Sequence, residues 1–277
     1  MKIIKSIEEM QKISAEKIGT IGFVPTMGYM HKGHLSLVRN SKKISDITVV
    51  SIYVNPTQFA PNEDLSNYPR NLENDFSLLE NLDVDYIFLP DNKMMYPQNY
   101  KTWVEIDDLT QFLCGKSRPS HFKGVTTIVT KLINCVLPDF MFLGEKDFQQ
   151  LTVLSKMVKD LNFTVKIVSC PIIREKDGLA MSSRNKNLNK SERNNAICLW
   201  NSLQYAKNEF LNGETDFLKV RDQMKKIILS NNGRIDYIDL IDSETLQSIQ
   251  IMKKDCRLAL AVYFGKTRLI DNLELNI

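Results

Sequence analysis

The sequence predicts an α/β protein: a doubly wound, Rossmann-like parallel sheet followed by a smaller α+β domain. Three observations carry that expectation. Short runs that are apolar throughout recur along the first part of the chain, segments of helical spacing fill the gaps between them, and near residue 175 the texture turns polar. Strands that read as continuous apolar runs belong to sheets covered on both faces, and alternation with helices makes such a sheet parallel.

The apolar runs are Thr20–Pro25, Ile47–Val54, Val84–Leu89, Phe140–Leu143 and Thr164–Cys170. Apolar residues at helical spacing predict helices over 34–45, 71–82, 124–136 and 147–161. Ligands of such sheets bind beyond the carboxyl ends of the strands. The stretch EKDGLAMSSRNKNLNK, with Gly178 after Asp177, reads as a long loop. Helical stretches follow at 190–211 and 215–230, then strands at Ile235–Ile241 and Arg257–Phe264. The expected division is therefore 1–175 for the Rossmann-like domain and 176–277 for the α+β domain.

At 277 residues, with 43% hydrophobic and 25% charged, the composition is that of a globular protein. Lys and Arg number 36 against 33 Asp and Glu, a net charge of +3 that is no footprint for nucleic acid. The start, MKIIKSIEEMQKI, has no continuous apolar stretch, and Glu8 and Glu9 fall where a secretory leader is greasy. No apolar run reaches the roughly 18 residues of a membrane span. Five cysteines, at 114, 135, 170, 198 and 256, are scattered and never form Cys-x-x-Cys, which argues against a disulfide framework and a zinc knuckle. The expected compartment is the cytoplasm, with no membrane and no nucleic-acid partner.

Chemistry concentrates at strand-to-helix junctions. Two of the three histidines, His31 and His34, lie in PTMGYMHKGHLSLV, between an apolar run and a helical stretch. A helix start offers unpaired N–H groups and partial positive charge, and two imidazoles there add donors suited to a phosphate. Gly28 and Gly33 let backbone approach a ligand. A pair of surface histidines is the competing reading; a metal site lacks a completing cysteine or carboxylate. Neither G-x-x-x-x-G-K-[ST] nor G-x-G-x-x-G occurs. SIYVNPTQF ends a strand with Asn55 and Gln58, and FLGEKDFQQL sets Gly144 and Lys146 at a second strand-to-helix turn. AMSSRN offers two hydroxyls and an arginine, and the third histidine, His121, stands either at a functional helix start or at a merely structural one.

Four blocks, PTMGYMHKGHLSLV, VSIYVNPTQFAPNEDLSNYPR, HFKGVTTIVTKLINCVLPDFMFLGEKDFQQL and REKDGLAMSSRNKNL, together resemble the pantothenate synthetase (pantoate–β-alanine ligase) family over nearly the whole chain. Other nucleotidyltransferases of the HIGH-motif superfamily share His-x-Gly-His but not VNPTQF or GEKDFQQ. The resemblance implies ATP-dependent condensation of (R)-pantoate with β-alanine to pantothenate, AMP and pyrophosphate, through a pantoyl adenylate. ATP is then a co-substrate with Mg²⁺, and no tightly bound organic cofactor is expected.

By motif position the resemblance implies that Met27, Gly28, Tyr29, Met30, His31, Lys32, Gly33 and His34 line the ATP phosphates, with His34 the catalytic donor and His31 its neighbour. It likewise gives Gly144, Glu145, Lys146 and Asp147 to the nucleotide, Lys146 on the phosphates, Ile173 to adenine, and Met181, Ser182, Ser183 and Arg184 to a turn closing over ATP. Gln58, Gln150 and Asn55 fall to pantoate and β-alanine, and Asp75 to the magnesium ion. Domain 1–175 becomes the catalytic ATP- and pantoate-binding part, 176–277 a lid, and a homodimer is implied, through the Ile47–Phe59 region. Lys32, Leu143, Ser120, Ile173 and Asn74 depart from the family pattern without removing a reacting group. Two rivals stand beside this reading: a transferase with another acceptor, and a nucleotide- or RNA-binding protein that keeps the fold without the chemistry.

Overall fold

The computed structural model describes residues 1–60, 63 and 65–276. Pro61, Asn62 and Asp64, within the VNPTQF block, lie outside the described residues. In chain order the elements are β1 (Lys2–Ile4), α1 (Ile7–Ala15), β2 (Ile21–Thr26), α2 (Lys32–Ile44), β3 (Ile47–Ile52), α3 (Leu72–Glu80), β4 (Tyr86–Phe88) and α4 (Asn92–Met95). They continue with α5 (Cys114–Ser117), α6 (His121–Val136), β5 (Phe140–Gly144), α7 (Phe148–Asp160) and β6 (Lys166–Cys170). Last come α8 (Lys190–Asn195), α9 (Cys198–Leu211), α10 (Phe217–Leu229), β7 (Arg234–Asp242), β8 (Cys256–Phe264) and β9 (Thr267–Glu274).

Strands β1 to β6 form one parallel sheet in the order β1-β4-β3-β2-β5-β6. From β2 the chain steps outward through β3 and β4, then returns to β5 and β6 on the other side. The order therefore reverses between β2 and β5, and at such a reversal a crevice opens beyond the strand ends. The doubly wound expectation holds, and Thr26 and Gly144 end the two strands beside the crevice. The sheet is buried as its apolar runs foretell: Val24, Val38, Val50, Leu79, Ile87 and Phe142 share one core. Helix α2 turns Leu35, Leu37 and Val38 inward and ends on Lys42 and Lys43, cations that suit the negative helix end.

Five elements have no counterpart in the sequence reading: the four-residue helices α4 and α5, and β1, α1 and β9. Strand β1 has only three residues, too few for a pattern, and α1 follows Ser6, whose side chain caps Glu9 N–H at 3.1 Å. Strand β9 alternates too loosely to announce itself, yet it pairs with β8 along its whole length. The single helix expected over 190–211 breaks at Ala196–Ile197, just after Asn194 and Asn195, a residue type with low helix propensity. Within the Ile47–Phe59 region, β3 is bonded to β2 on one side and β4 on the other, so any contact with a second copy there would be made by side chains or by the turn after β3 and not by a strand edge.

Two compact units divide the chain differently from a boundary at 175/176. The first holds Met1–Asp107, Arg118–Glu145 and Gln150–Pro171; the second holds Asp108–Ser117, Lys146–Gln149 and Ile172–Ile277. Side-chain bonding explains why two short segments join the second unit. The Gln149 amide donates to Leu109 and Phe112 carbonyls and accepts from Cys114 N–H, while Ser117 bonds Asp236 and Asn272 bonds Lys146. The second unit is built on the antiparallel sheet β7-β8-β9, whose Leu258, Leu260 and Val262 pack with Leu199, Leu203, Val220 and Met224. Among the described residues no helix is long and apolar enough to cross a membrane.

One glycine governs how α6 meets the turn after β3. A Cβ on Gly124 would stand 2.5 Å from the Thr57 carbonyl oxygen and 2.6 Å from Gln58 N. Gly124→Ala is therefore expected to cost about 1–3 kcal/mol through overpacking, read as a lowered urea midpoint.

Candidate active site

In the first unit the segment after β2 is folded by backbone capping. Gly28 and Tyr29 both take positive φ, +80° and +53°. That turn leaves the next N–H groups pointing inward, where Asp75 receives them: Tyr29 N–H at 2.8 Å and Met30 N–H at 2.7 Å. Asp75 is 1% exposed, and burial pushes its carboxyl pKa up against those two bonds. Met30 is buried in the core, so it supplies backbone rather than side chain.

His31 is the N-cap of α2, its Nδ1 accepting the Gly33 N–H at 3.1 Å. A nitrogen that accepts carries no hydrogen, so the neutral ring bears its proton on Nε2 and can donate there. The His31 and His34 rings stack, centroids 4.0 Å apart. Two of the chain's three histidines thus meet at one helix start, where anions are favoured. Lys32 is exposed to solvent.

The turn after β3 is a second piece of the same unit. Asn55 is 1% exposed and uses its whole amide internally. It donates to Gln58 Oε1 (3.2 Å) and the Gly124 carbonyl (3.0 Å), and accepts from the Thr57 and Tyr96 hydroxyls, both at 3.0 Å. An amide has two donors and two lone pairs, and in this structure protein groups occupy all of them. Asn55, expected at pantoate or β-alanine, is thus bonded to Gln58 and its neighbours here. Gln58 also points its Nε2 at Met27 Sδ, 3.0 Å away. Its main-chain carbonyl accepts from His121 Nδ1 (2.9 Å) and Arg118 (3.2 Å), so His121 helps to hold this turn. Arg118 in turn forks onto Glu63; burial pushes that carboxyl up, but the Arg118 bonds hold it below its ordinary range.

At the end of β5, a Cβ on Gly144 would meet open space, and the Glu145 carboxylate accepts from the Ser169 hydroxyl at 2.8 Å. Gln150 is half-buried in the first turn of α7.

In the second unit Lys146 Nζ lies 3.2 Å from Asp147 Oδ1. Ile173 and Met181 face each other in a hairpin, Met181 N–H donating to the Ile173 carbonyl at 3.0 Å. The stretch read as a long loop is more ordered than that: Ser182 caps Arg184 N–H in a 3₁₀ turn over Ser183–Asn187, and Asn185 ties the turn to Glu175 and Ala180.

A parallel sheet that reverses order beside a histidine-capped helix start defines a Rossmann-like α/β protein with an anion-receptive site. The chain belongs to the pantoate–β-alanine ligase family, whose model matches residues 2–274. A pantothenate synthetase of Thermosipho africanus is 52% identical over 276 residues, 99% of both chains. The crystal structure of pantothenate synthetase from Thermus thermophilus superposes with a TM-score of 0.96 at 38% identity, covering both chains fully. The Francisella tularensis pantoate–β-alanine ligase, complexed with β-γ ATP and β-alanine, gives 0.85 at 38% identity, covering 99% and 98%. The chain is a pantoate–β-alanine ligase by family, and its reaction is the joining of those two molecules.

The family resemblance gives Asp75 to the magnesium ion. In the structure each of its oxygens accepts a backbone N–H, and no cluster of three or more His, Cys, Asp or Glu side chains able to hold a metal occurs among the described residues. The signal for the clamp is absent from local sequence, because donor and acceptor lie 45 and 46 positions apart. Asp75→Asn sets an NH₂ against one of the two N–H donors. The expected result is a stability loss of about 1–3 kcal/mol together with slower ligation that added Mg²⁺ does not restore. An unchanged melting curve with a rightward shift in Mg²⁺ dependence would return Asp75 to the metal.

Proposed function

We propose that this chain activates pantoate with ATP and passes the acyl group to β-alanine, the two steps sharing one site. The observation that carries the reading is the start of α2, where stacked His31 and His34 stand at the ligand end of the sheet. The carboxylate of pantoate attacks the α-phosphorus, the bond to the β-phosphate oxygen breaks, and pyrophosphate leaves. The amine of β-alanine then attacks the acyl carbon, the bond to AMP breaks, and the amine gives up a proton.

The first step needs no general base, since a carboxylate with pKa near 4 is ionised at neutral pH. Its difficulty is bringing one anion onto another. Preorganised donors aimed at the developing charge are the remedy. In this reading His34 donates to the reacting phosphate, His31 offers Nε2–H beside it, and the segment Met27 to Gly33 lines the tail, its shape fixed by the bonds of Gly28, Tyr29, Met30 and Gly33 N–H to Thr26, Asp75 and His31. Lys146 is a point charge on the same triphosphate. Gly144, Glu145, Asp147 and the Ile173 backbone hold the nucleoside part, and Met181, Ser182, Ser183 and Arg184 close over it. Gln58, steadied by Asn55, and Gln150 fix pantoate and β-alanine. Magnesium enters as part of the ATP complex, with no protein-built metal site required. The enzyme works in the cytoplasm.

Losing one preorganised donor costs about 10²–10³ in rate. His34→Ala and Lys146→Ala are expected to slow adenylate formation by at least that order, measured as pantoate-dependent exchange of pyrophosphate into ATP. An effect below about fivefold in single turnover rejects the assigned role. The proposal also includes a homodimer, so sedimentation is expected to report twice the 31.9 kDa chain mass; a single-chain mass at micromolar concentration removes it.

A further inference from the structure

The second unit contains a buried polar network that the proposed phosphate contacts do not by themselves require. Asp271 and Asn272 are consecutive on β9, 2% and 3% exposed, and neighbours on a strand face opposite ways. Asp271 receives the guanidinium fork of Arg174 at 2.6 and 2.9 Å. Burial pushes the Asp271 carboxyl pKa up, against the pull of the Arg174 bonds. Arg174 also donates to the Gly178 carbonyl at 3.0 Å and lies 3.8 Å from the centre of the Trp200 ring. The hairpin carrying Ile173 and Met181 is thereby fastened to the sheet, since Arg174 bridges Ala180 within it.

Asn272 serves the other segment. Its Nδ2 donates to the Lys146 carbonyl at 3.0 Å, and its Oδ1 accepts from Arg257 at 2.7 Å. Arg257 lies 3.9 Å over the Phe148 ring, just past that turn. The Asn272 N–H bonds back to Asp271 Oδ1 at 2.8 Å, so the two residues form one unit. Two segments far apart in sequence, the Lys146 turn and the 173–184 hairpin, are tied to adjacent residues of one strand.

A buried ion pair is a weak source of stability, because desolvation offsets its attraction. Its use here is geometric. We propose that Asp271 and Asn272 are positioning residues for the ligation, holding the main chain at Lys146 in register with the turn that carries Ser182, Ser183 and Arg184. The proposal rests on the reading that Lys146 and that turn contact ATP.

The test uses the full chain, with Asn272→Asp, Asn272→Ser, Lys146→Ala and the Lys146→Ala/Asn272→Ser double variant. Asn272→Ser removes the amide without burying a charge, and thermal melting checks that each variant is folded. Each Asn272 variant is expected to raise the KM for ATP and lower kcat/KM for ATP by at least about tenfold, as misplacement of a binding group does. The KM values for pantoate and β-alanine are expected to stay within about twofold, and in the Lys146→Ala background Asn272→Ser adds less than about twofold, the signature of two residues acting as one. Folded Asn272 variants with wild-type ATP parameters overturn the proposal, as does a loss equally large with and without Lys146. Lys146→Ala with undiminished use of ATP brings down the nucleotide reading and the anchor together. An impaired Lys146→Ala beside an unimpaired Asn272→Ser brings down the anchor alone.

Discussion

Buried backbone groups must find partners, and that constraint shapes every turn around the candidate site. A strand that ends at a ligand crevice stops bonding to its neighbours, so the following N–H and C=O groups need another source of satisfaction. After β2 the source is Asp75, which accepts two consecutive N–H groups, and then His31, which accepts a third. After β3 it is His121 and Arg118, which both meet the Gln58 carbonyl. At Lys146 it is the amide of Asn272. Three segments of the proposed site, at Tyr29–Met30, at Gln58 and at Lys146, therefore sit on main chain held by a side chain from a distant element.

This division of labour fits the electrostatic problem of adenylation. The reacting partners are both anions, so the protein's contribution is a set of donors that do not reorganise as charge moves. A loop free to relax would follow the substrate and lose that advantage. The carboxylate of Asp75 illustrates the trade: its burial is unfavourable, and two short N–H bonds offset the cost while fixing the loop. The paired Arg174 and Asp271 repeat the arrangement in the second unit.

Asn55 shows how close a structural and a functional residue can stand. It lies three positions from Gln58, in the same strand-end turn, and both are amides that sequence reasoning assigned to ligand binding. Only the bonding separates them, for Asn55 spends all four of its hydrogen-bonding capacities on protein groups. Gln149 and Gln150 repeat the case: the first is consumed by Leu109, Phe112 and Cys114, and the second stands half-buried at the start of α7.

By itself the sequence determined the class of fold, the strand-helix alternation of the sheet and the blocks that mark the family, because apolar periodicity and turn chemistry are local properties. The helix start at His31 and His34 was legible for the same reason: cap, glycine and donor lie within four residues. The three-residue β1 and the loosely patterned β9 were illegible, being too short or too mixed to leave a period. Tertiary structure alone decided that Asp75 clamps a loop 45 residues away, that Asn55 faces inward, and that Lys146 belongs with β9. Those pairings arise from hydrogen bonds between distant segments, and a one-dimensional pattern holds no record of which buried donor will meet which acceptor.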